Sequence, residues 1–311
     1  LCYLLGKMLF DERSGLLAAF LQSINILAIY QVGQLFSEVM GCLLVLLTTY
    51  FFMRVCKSIP LTGVANRDLM LLSITLAVGI LSRSAFLPIA AVIGVYLLAA
   101  QLLATHSVSS ALRVFWLPAL LGAVCIAPWF IRNYQVWNRF VYQTKTGHVL
   151  AIAFDDTTKV GSDTPGHFIM IKQSDLDEVA RDDFYKDHAK TWIKSHPVRS
   201  AWLVTLRFMD FWNPVPMSRG LKRIVGTLWS TLFLSLAVVG TWRCLPDFRT
   251  YHPLFLVPMV YASVHAVTLA NTRYRTPLDG VIAVLAGYGL SFILMKILAH
   301  RNRPANAAAE A

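Results

Sequence analysis

Long apolar blocks separated by short polar breaks dominate the chain. A helix needs about 20 apolar residues to cross the hydrocarbon core of a bilayer. On that scale the blocks near 14–32, 36–53, 69–82, 85–104, 111–131, 225–242, 253–270 and 277–298 predict eight transmembrane helices. The third is short, and Ser82-Arg83-Ser84 separates it from the fourth. Leu1 to Leu5 continue the apolar pattern and read as the end of a further helix whose start lies upstream. The expected fold class is an all-α polytopic membrane protein, with about eight transmembrane helices and one mixed, mainly helical soluble segment on the outer face.

That segment is the one long stretch without a spanning block, 132–223. Nine of the chain's 17 acidic residues fall between Asp155 and Asp187, including Asp156, Asp163 and Asp175. From Asp175 to Ser195, charges alternate with Leu, Val, Phe, Tyr and Trp at helical spacing, which predicts an amphipathic helix. Ser174 followed by Asp177 resembles a capping-box start. The expected organisation is a transmembrane bundle over 1–131, the outer-face segment over 132–223, C-terminal transmembrane helices over 224–300, and a disordered tail over 301–311.

Composition sharpens this picture. Hydrophobic residues make up 56% of the 311 positions and charged residues only 14%, against about 25% charged in soluble domains. That balance excludes disorder, a coiled coil, a disulfide scaffold and an ordinary soluble enzyme. The net charge of +11 would suggest nucleic acid for a soluble protein. Here it reflects basic residues in the short connections: Lys7 and Arg13, Arg54, Lys57 and Arg67, Arg113, Arg243 and Arg249, then Lys296, Arg301 and Arg303. With eight spans all of them fall on one face, which the positive-inside rule makes cytoplasmic. The C-terminus is then cytoplasmic. The other face receives Gln31 to Glu38, Ser82 to Pro88, the whole 132–223 segment and Asn271 to Pro277. The five cysteines, at 2, 42, 56, 125 and 244, lie in or beside apolar runs. No cluster has metal-ligand spacing, so no metal is assigned.

A few charges break the pattern. Glu38 opens an otherwise uncharged helix, Arg83 sits between two apolar runs, Arg132 ends the run Pro128 to Asn133, and Arg273 and Arg275 bracket Tyr274 before Pro277. Charges at membrane depth are costly, so function is their default explanation. Four arginines on the face where the positive-inside rule expects few suggest an anionic ligand, because a guanidinium fork matches phosphate oxygens in pairs. A lipid phosphate or pyrophosphate headgroup sits at this depth. Arginines there would neutralise charge developing on a departing phosphate, and Glu38 would accept a proton, position a hydroxyl or hold a cation. Plainer roles stay open at this level: arginines at helix ends snorkel to headgroups, and Glu38 beside Ser37 suits a helix N-terminus. His265 reads as a helix-contact residue, and His148 and His167 as solvated loop residues. Phe115-Trp116, Trp129-Phe130 and Phe211-Trp212 read as interfacial belts. No phosphate loop, nucleophile elbow or zincin motif occurs.

At these positions the sequence resembles the polyprenyl-phosphate-dependent GT-C glycosyltransferases, close to the dolichyl-phosphate-mannose protein mannosyltransferase and bacterial aminoarabinose transferase branch. The pieces occur in the family's order. Gly15-Leu16-Leu17-Ala18-Ala19 precedes a span ending near Tyr30, and Ser37-Glu38 opens the next. Ile80-Leu81-Ser82-Arg83 matches a span ending in Thr/Ser-Arg. Ala127-Pro128-Trp129-Phe130-Ile131-Arg132-Asn133-Tyr134 is the most specific piece, continuing through Phe140-Val141 to Thr144-Lys145-Thr146-Gly147. Phe211-Trp212-Asn213-Pro214 and Arg273-Tyr274-Arg275-Thr276-Pro277 complete the set. Trp137 and Asn138 stand where the family tends to have Gly.

The resemblance implies a multi-pass enzyme of the bacterial inner membrane with its active site facing the periplasm. It would move a hexose or pentose from a polyprenyl-phosphate donor to a lipid, glycan or protein acceptor, with inversion and without nucleic acid. Arg132, Arg273, Arg275 and Arg83 would hold the carrier phosphate. Tyr274 and Asn133 would support the donor, Thr146 and Gly147 would lie in a loop near the sugar, and Glu38 would act as a helper. The family's usual catalytic acid lies in a first outer loop, which would precede Leu1. Two other classes fit the same charges: a transporter or flippase of a lipid-linked anion, and a non-catalytic membrane assembly subunit.

Overall fold

The computed structural model of the chain describes residues 1–33, 37–59, 66–155, 176–216 and 218–301, and among them all regular structure is helical. In chain order the helices are α1 (Cys2–Leu9), α2 (Glu12–Ser23), α3 (Ile26–Gly33), α4 (Glu38–Ser58), α5 (Asn66–Ser82), α6 (Phe86–Thr105), α7 (Val108–Trp137), α8 (Thr146–Ala153), α9 (Glu178–Ser195), α10 (Pro197–Phe211), α11 (Leu221–Cys244), α12 (Phe248–Val267), α13 (Thr272–Arg275) and α14 (Asp279–Arg301). Asp156, Asp163, Asp175, His167, Ser174 and the tail from 302 lie outside the described residues.

Five runs are long and apolar enough to cross a membrane, six if the bent pair α2 and α3 counts as one span. The expected eight is not reached, for two reasons of length. With 17 residues, α5 is shorter than the other spans. Leu221–Val267 is one helical run of 47 residues, crossed by a 3-10 turn at Leu245–Asp247. The blocks expected at 225–242 and 253–270 both lie within that one run. The block expected at 14–32 is broken, with α2 and α3 meeting at 44°. Asn25 makes the break: its Oδ1 accepts from the backbone N–H groups of Leu27 (3.2 Å) and Ala28 (3.4 Å), capping the new helix.

The chain divides into two compact units. The first comprises Leu1–Tyr50, Pro214–Phe255 and Thr276–Ala311. Its helices α2, α11 and α14 approach at backbone distance. A Cβ on Gly240 would overlap the carbonyl oxygen of Leu285, and one on Gly289 would overlap that of Leu236. Across the other face of α14, a Cβ on Gly287 would stand 2.5 Å from the Ala18 nitrogen and 2.6 Å from the Ser14 oxygen. Small residues let helices pack closely where lipid supplies no hydrophobic drive between them. Asn25 also joins this unit together. Its Nδ2 donates to Asp279 Oδ2 (3.0 Å) at the start of α14, and its Oδ1 accepts from Trp229 Nε1 (3.1 Å) on α11.

The second unit comprises Phe51–Asn213 and Leu256–Arg275. The end of α4 is tied to the start of α5 by Arg54 Nε on Asp68 Oδ2 at 2.9 Å. The amphipathic helix expected at Asp175–Ser195 is α9, whose cap is Asp177 itself, accepting from the Ala180 N–H at 2.7 Å. Its apolar side faces α8 and α10 through Ala153, Phe154, Trp192 and Leu203. His148, expected in a solvated loop, is on α8, edge-on to Tyr185 at 5.6 Å. The buried Arg207 of α10 links two further helices. Its guanidinium donates to the carbonyl of Ala153, the last residue of α8, and to that of Ala266 near the end of α12 (3.5 Å), while resting 4.9 Å from the Phe154 ring centre. Terminal helix carbonyls lack intrahelical partners and carry the negative end of the dipole, so a cation there satisfies both. Burial lowers the Arg207 pKa to about 10, which leaves it charged at neutral pH.

Gly240→Val is expected to lower stability by about 1–3 kcal/mol through overpacking, read as thermal unfolding in detergent. Gly122→Ala, at a glycine with no atom within 4 Å of its would-be Cβ, is expected to leave the transition unchanged or raised; equal losses would show that helix approach is not the constraint. Arg207→Met strands two carbonyls at about 1–3 kcal/mol, so hydrogen exchange in α8 and α10 is expected to rise, with Arg207→Lys recovering part of the protection.

Candidate functional site

Where α12 ends, the chain turns through Leu269 and Asn271 into the short α13. Asn271 Oδ1 accepts from the backbone N–H groups of Arg273 (2.9 Å) and Tyr274 (3.2 Å), which sets the direction of both side chains. On α12, four residues after Tyr261, His265 is 8% exposed and its Nδ1 donates to the Leu269 carbonyl at 3.1 Å. A carbonyl only accepts, so Nδ1 carries the proton. Stacked rings flank the imidazole, Tyr274 at 5.1 Å and 17° and Phe211 at 5.9 Å and 18°, with Tyr261 tilted at 4.7 Å. Arg273 lies 5.6 Å from the Tyr274 ring centre, in the range of a cation–π contact. Arg83 lies in the tight turn between α5 and α6 of the same unit.

Exposure separates the arginines. Arg83 and Arg273 are half-buried, and Arg132 is exposed. Arg275 is 1% exposed, and its Nη1 donates to the Asn213 carbonyl at 3.0 Å, tying α13 to the end of α10.

The Arg132 motif lies in the same unit. At about 45 Å, α7 is longer than a bilayer core, and its last turns carry Trp129, Arg132 and Asn133. Trp129 and Asn133 lie one turn apart, so both reach the same strand of chain: Trp129 Nε1 donates to the Tyr142 carbonyl (2.9 Å) and Asn133 Nδ2 to that of Val141 (2.8 Å). The Tyr142 hydroxyl in turn donates to the Ile80 carbonyl, three residues before Arg83, and burial raises its pKa. Arg132 Nη1 donates to Asn133 Oδ1 (2.9 Å) and lies 5.7 Å from the Trp129 ring centre. Asn138 ends α7 at φ 52, the left-handed position where Gly is usual and Asn is the common substitute.

Two expectations change. Thr146 and Gly147 form the first turn of α8 rather than a loop, with the Gly147 N–H donating to Asp182 Oδ1 at 2.5 Å and no room for a side chain at 147 beside the Asp182 carbonyl. Phe211 is fully buried against His265 rather than in an interfacial belt. Glu38 is 1% exposed at the start of α4, in the first unit. Tyr274 stacks on His265 and carries Arg273 beside it, Arg275 braces the segment that presents both, Arg83 lies in the same unit, and Thr146 and Gly147 form a separate contact with α9. His265, Phe211, Asn213, Arg207 and Asp279 were not among the expected site residues. Their signals were weak: a His four residues after a Tyr, and a lone acid opening the last apolar block.

Residues 1–131 match the sequence profile of the dolichyl-phosphate-mannose-protein mannosyltransferase family, a stretch that contains Glu38 and Arg83 and stops one residue short of Arg132. No curated protein and no solved structure gives a significant match. Over residues 1–131, then, the chain is similar to the dolichyl-phosphate-mannose-protein mannosyltransferase family.

Proposed function

We propose that the protein transfers a sugar from a polyprenyl-phosphate carrier to an acceptor on the outer face of a bacterial inner membrane. The observation that carries this reading is the half-buried cation Arg273 at the His265–Tyr274 stack, with the half-buried Arg83 in the same unit, in a chain whose first 131 residues match a mannosyltransferase family. In the reaction an acceptor hydroxyl attacks the anomeric carbon, the bond from that carbon to the phosphate oxygen breaks, and the carrier phosphate departs with the bonding electrons. The hydroxyl proton passes to a base, and attack opposite the leaving group inverts the anomeric centre.

Each residue has a distinct task in this scheme. Arg273 and Arg83 neutralise the charge that grows on the departing phosphate, a stabilisation larger in the transition state than in the bound donor. Arg132 approaches the carrier from the end of α7. Arg275 holds α13 in place through Asn213, and His265 is the flat support against which Tyr274 and its cation rest. Asn133, Thr146 and Gly147 act one step back, by shaping the chain that follows α7. Glu38 orients a hydroxyl. The apolar surfaces of the spans accommodate the prenyl tail, and the acceptor is a lipid, a glycan or a protein.

The test is transfer of radiolabelled sugar from a polyprenyl-phosphate donor by membranes that hold the protein. Arg273→Ala is expected to reduce turnover about 100-fold, the usual cost of one transition-state donor, with Arg273→Lys intermediate and protein levels unchanged. No transfer by the wild type alongside vesicle export of a lipid-linked anion would replace the enzyme reading with a transporter. A cysteine at Val198, which is 83% exposed, is expected to react with an impermeant thiol reagent added outside the cell; protection there until the membrane is opened would reverse the orientation.

A further inference from the structure

Glycine-mediated packing of α2, α11 and α14 has a consequence at the end of the first unit where α2 begins and α11 and α14 finish. Three basic residues from three helices converge there. Arg243 Cζ lies 4.5 Å and Lys296 Nζ 4.9 Å from the ring centre of Phe292. Arg13 Nη1 lies 3.6 Å from the sulfur of Met295. Residues 292, 295 and 296 share one face of α14, because positions three and four apart are neighbours on a helix. All three cations are exposed.

Like charges repel, so a gathering of this kind suits an anionic counter-charge. The nearby carboxylates are engaged elsewhere. Asp11 caps α2 by accepting from Ser14 N (2.8 Å) and Ser14 Oγ (3.1 Å), Glu12 is paired with Lys7 at 3.0 Å, and Asp247 accepts from Thr250 Oγ1 at 3.0 Å. Among the described residues no carboxylate is ion-paired with Arg13, Arg243 or Lys296. The surroundings specify the rest of the ligand. Trp242 beside Arg243, and Leu294, Met295, Ile297 and Leu298 around Lys296, are exposed apolar side chains. Cations rimmed by exposed apolar surface suit a molecule that is anionic at one end and hydrocarbon at the other.

We propose that Arg13, Arg243 and Lys296, with Phe292 as their platform, form a binding site for the phosphate headgroup of an anionic phospholipid, whose acyl chains lie along α14. Basic pockets between transmembrane helices are suited to such headgroups. The site is separate from the proposed transfer chemistry, lies in the other unit, and stands whether or not the protein moves sugar.

The test is native mass spectrometry of the purified protein in a zwitterionic detergent, titrated with phosphatidylglycerol, with phosphatidylcholine, or with inorganic phosphate. Wild type is expected to retain phosphatidylglycerol in preference to phosphatidylcholine. Each cation is worth roughly fivefold in affinity at a charged membrane surface, so the double variant Arg243→Gln, Lys296→Gln is expected to bind phosphatidylglycerol at least ~10-fold more weakly. Lys296→Gln alone carries the same test, with a loss of about fivefold, should the double variant lose its fold. Arg249→Gln, at a neighbouring exposed basic residue outside the patch, is expected to bind as wild type. Equal retention of the two lipids, an undiminished double variant, or an equal loss in Arg249→Gln would overturn the site. Displacement of bound phosphatidylglycerol by millimolar inorganic phosphate would overturn its assignment to lipid.

Discussion

One buried guanidinium holds the second unit together. Arg207 meets the exposed carbonyls at the ends of α8 and α12, segments 54 and 59 residues away along the chain. Helix ends buried without partners are costly, and a cation is the side chain best matched to two carbonyls and two dipoles at once. The consequence extends beyond stability. Fixing the end of α12 fixes His265, which precedes Ala266 directly, and α10 runs on from Arg207 to bring Phe211 against the same imidazole. The ring stack therefore inherits its position from the strap beside it.

The stack in turn explains how charge can be presented accurately at a membrane edge. An arginine on a mobile loop loses side-chain entropy when it binds. Here the loop is short, Asn271 binds the two backbone N–H groups that begin it, and Arg275 is locked to Asn213 at its far side. Arg273 rests on Tyr274, which rests on His265. The two arginines that bracket Tyr274 thus do different things: one lies half-buried beside a ring, and the other is buried as a brace.

The first unit solves a different problem by a different route. Its helices come together through Gly240, Gly287 and Gly289, where backbone meets backbone, and through Asn25, which breaks one apolar run and joins α14 to α11. Close approach also aligns the helix ends, so basic residues that would each orient a span separately meet on one face of α14.

Most spanning segments were legible because the requirement they satisfy is local: enough consecutive apolar residues to cross the bilayer. The α9 helix was legible for the same reason, from periodicity within its own length. Arg83 and Arg273 stood out because each charge conflicts with its immediate neighbours. Span count was less legible, since a break at Asn25 and a run through Leu245–Asp247 depend on capping and continuity that hydropathy does not encode. His265, Phe211 and Arg207 were illegible as a group, because the contacts that join Phe211 to His265 and Arg207 to Ala153 and Ala266 each cross more than 50 residues. Composition by itself determined a helical membrane protein with scarce, informative charges. Only the tertiary structure decided which charges meet, which are buried as braces and which stay accessible, because stacking, capping and close helix approach act through space between segments whose sequences carry no record of one another.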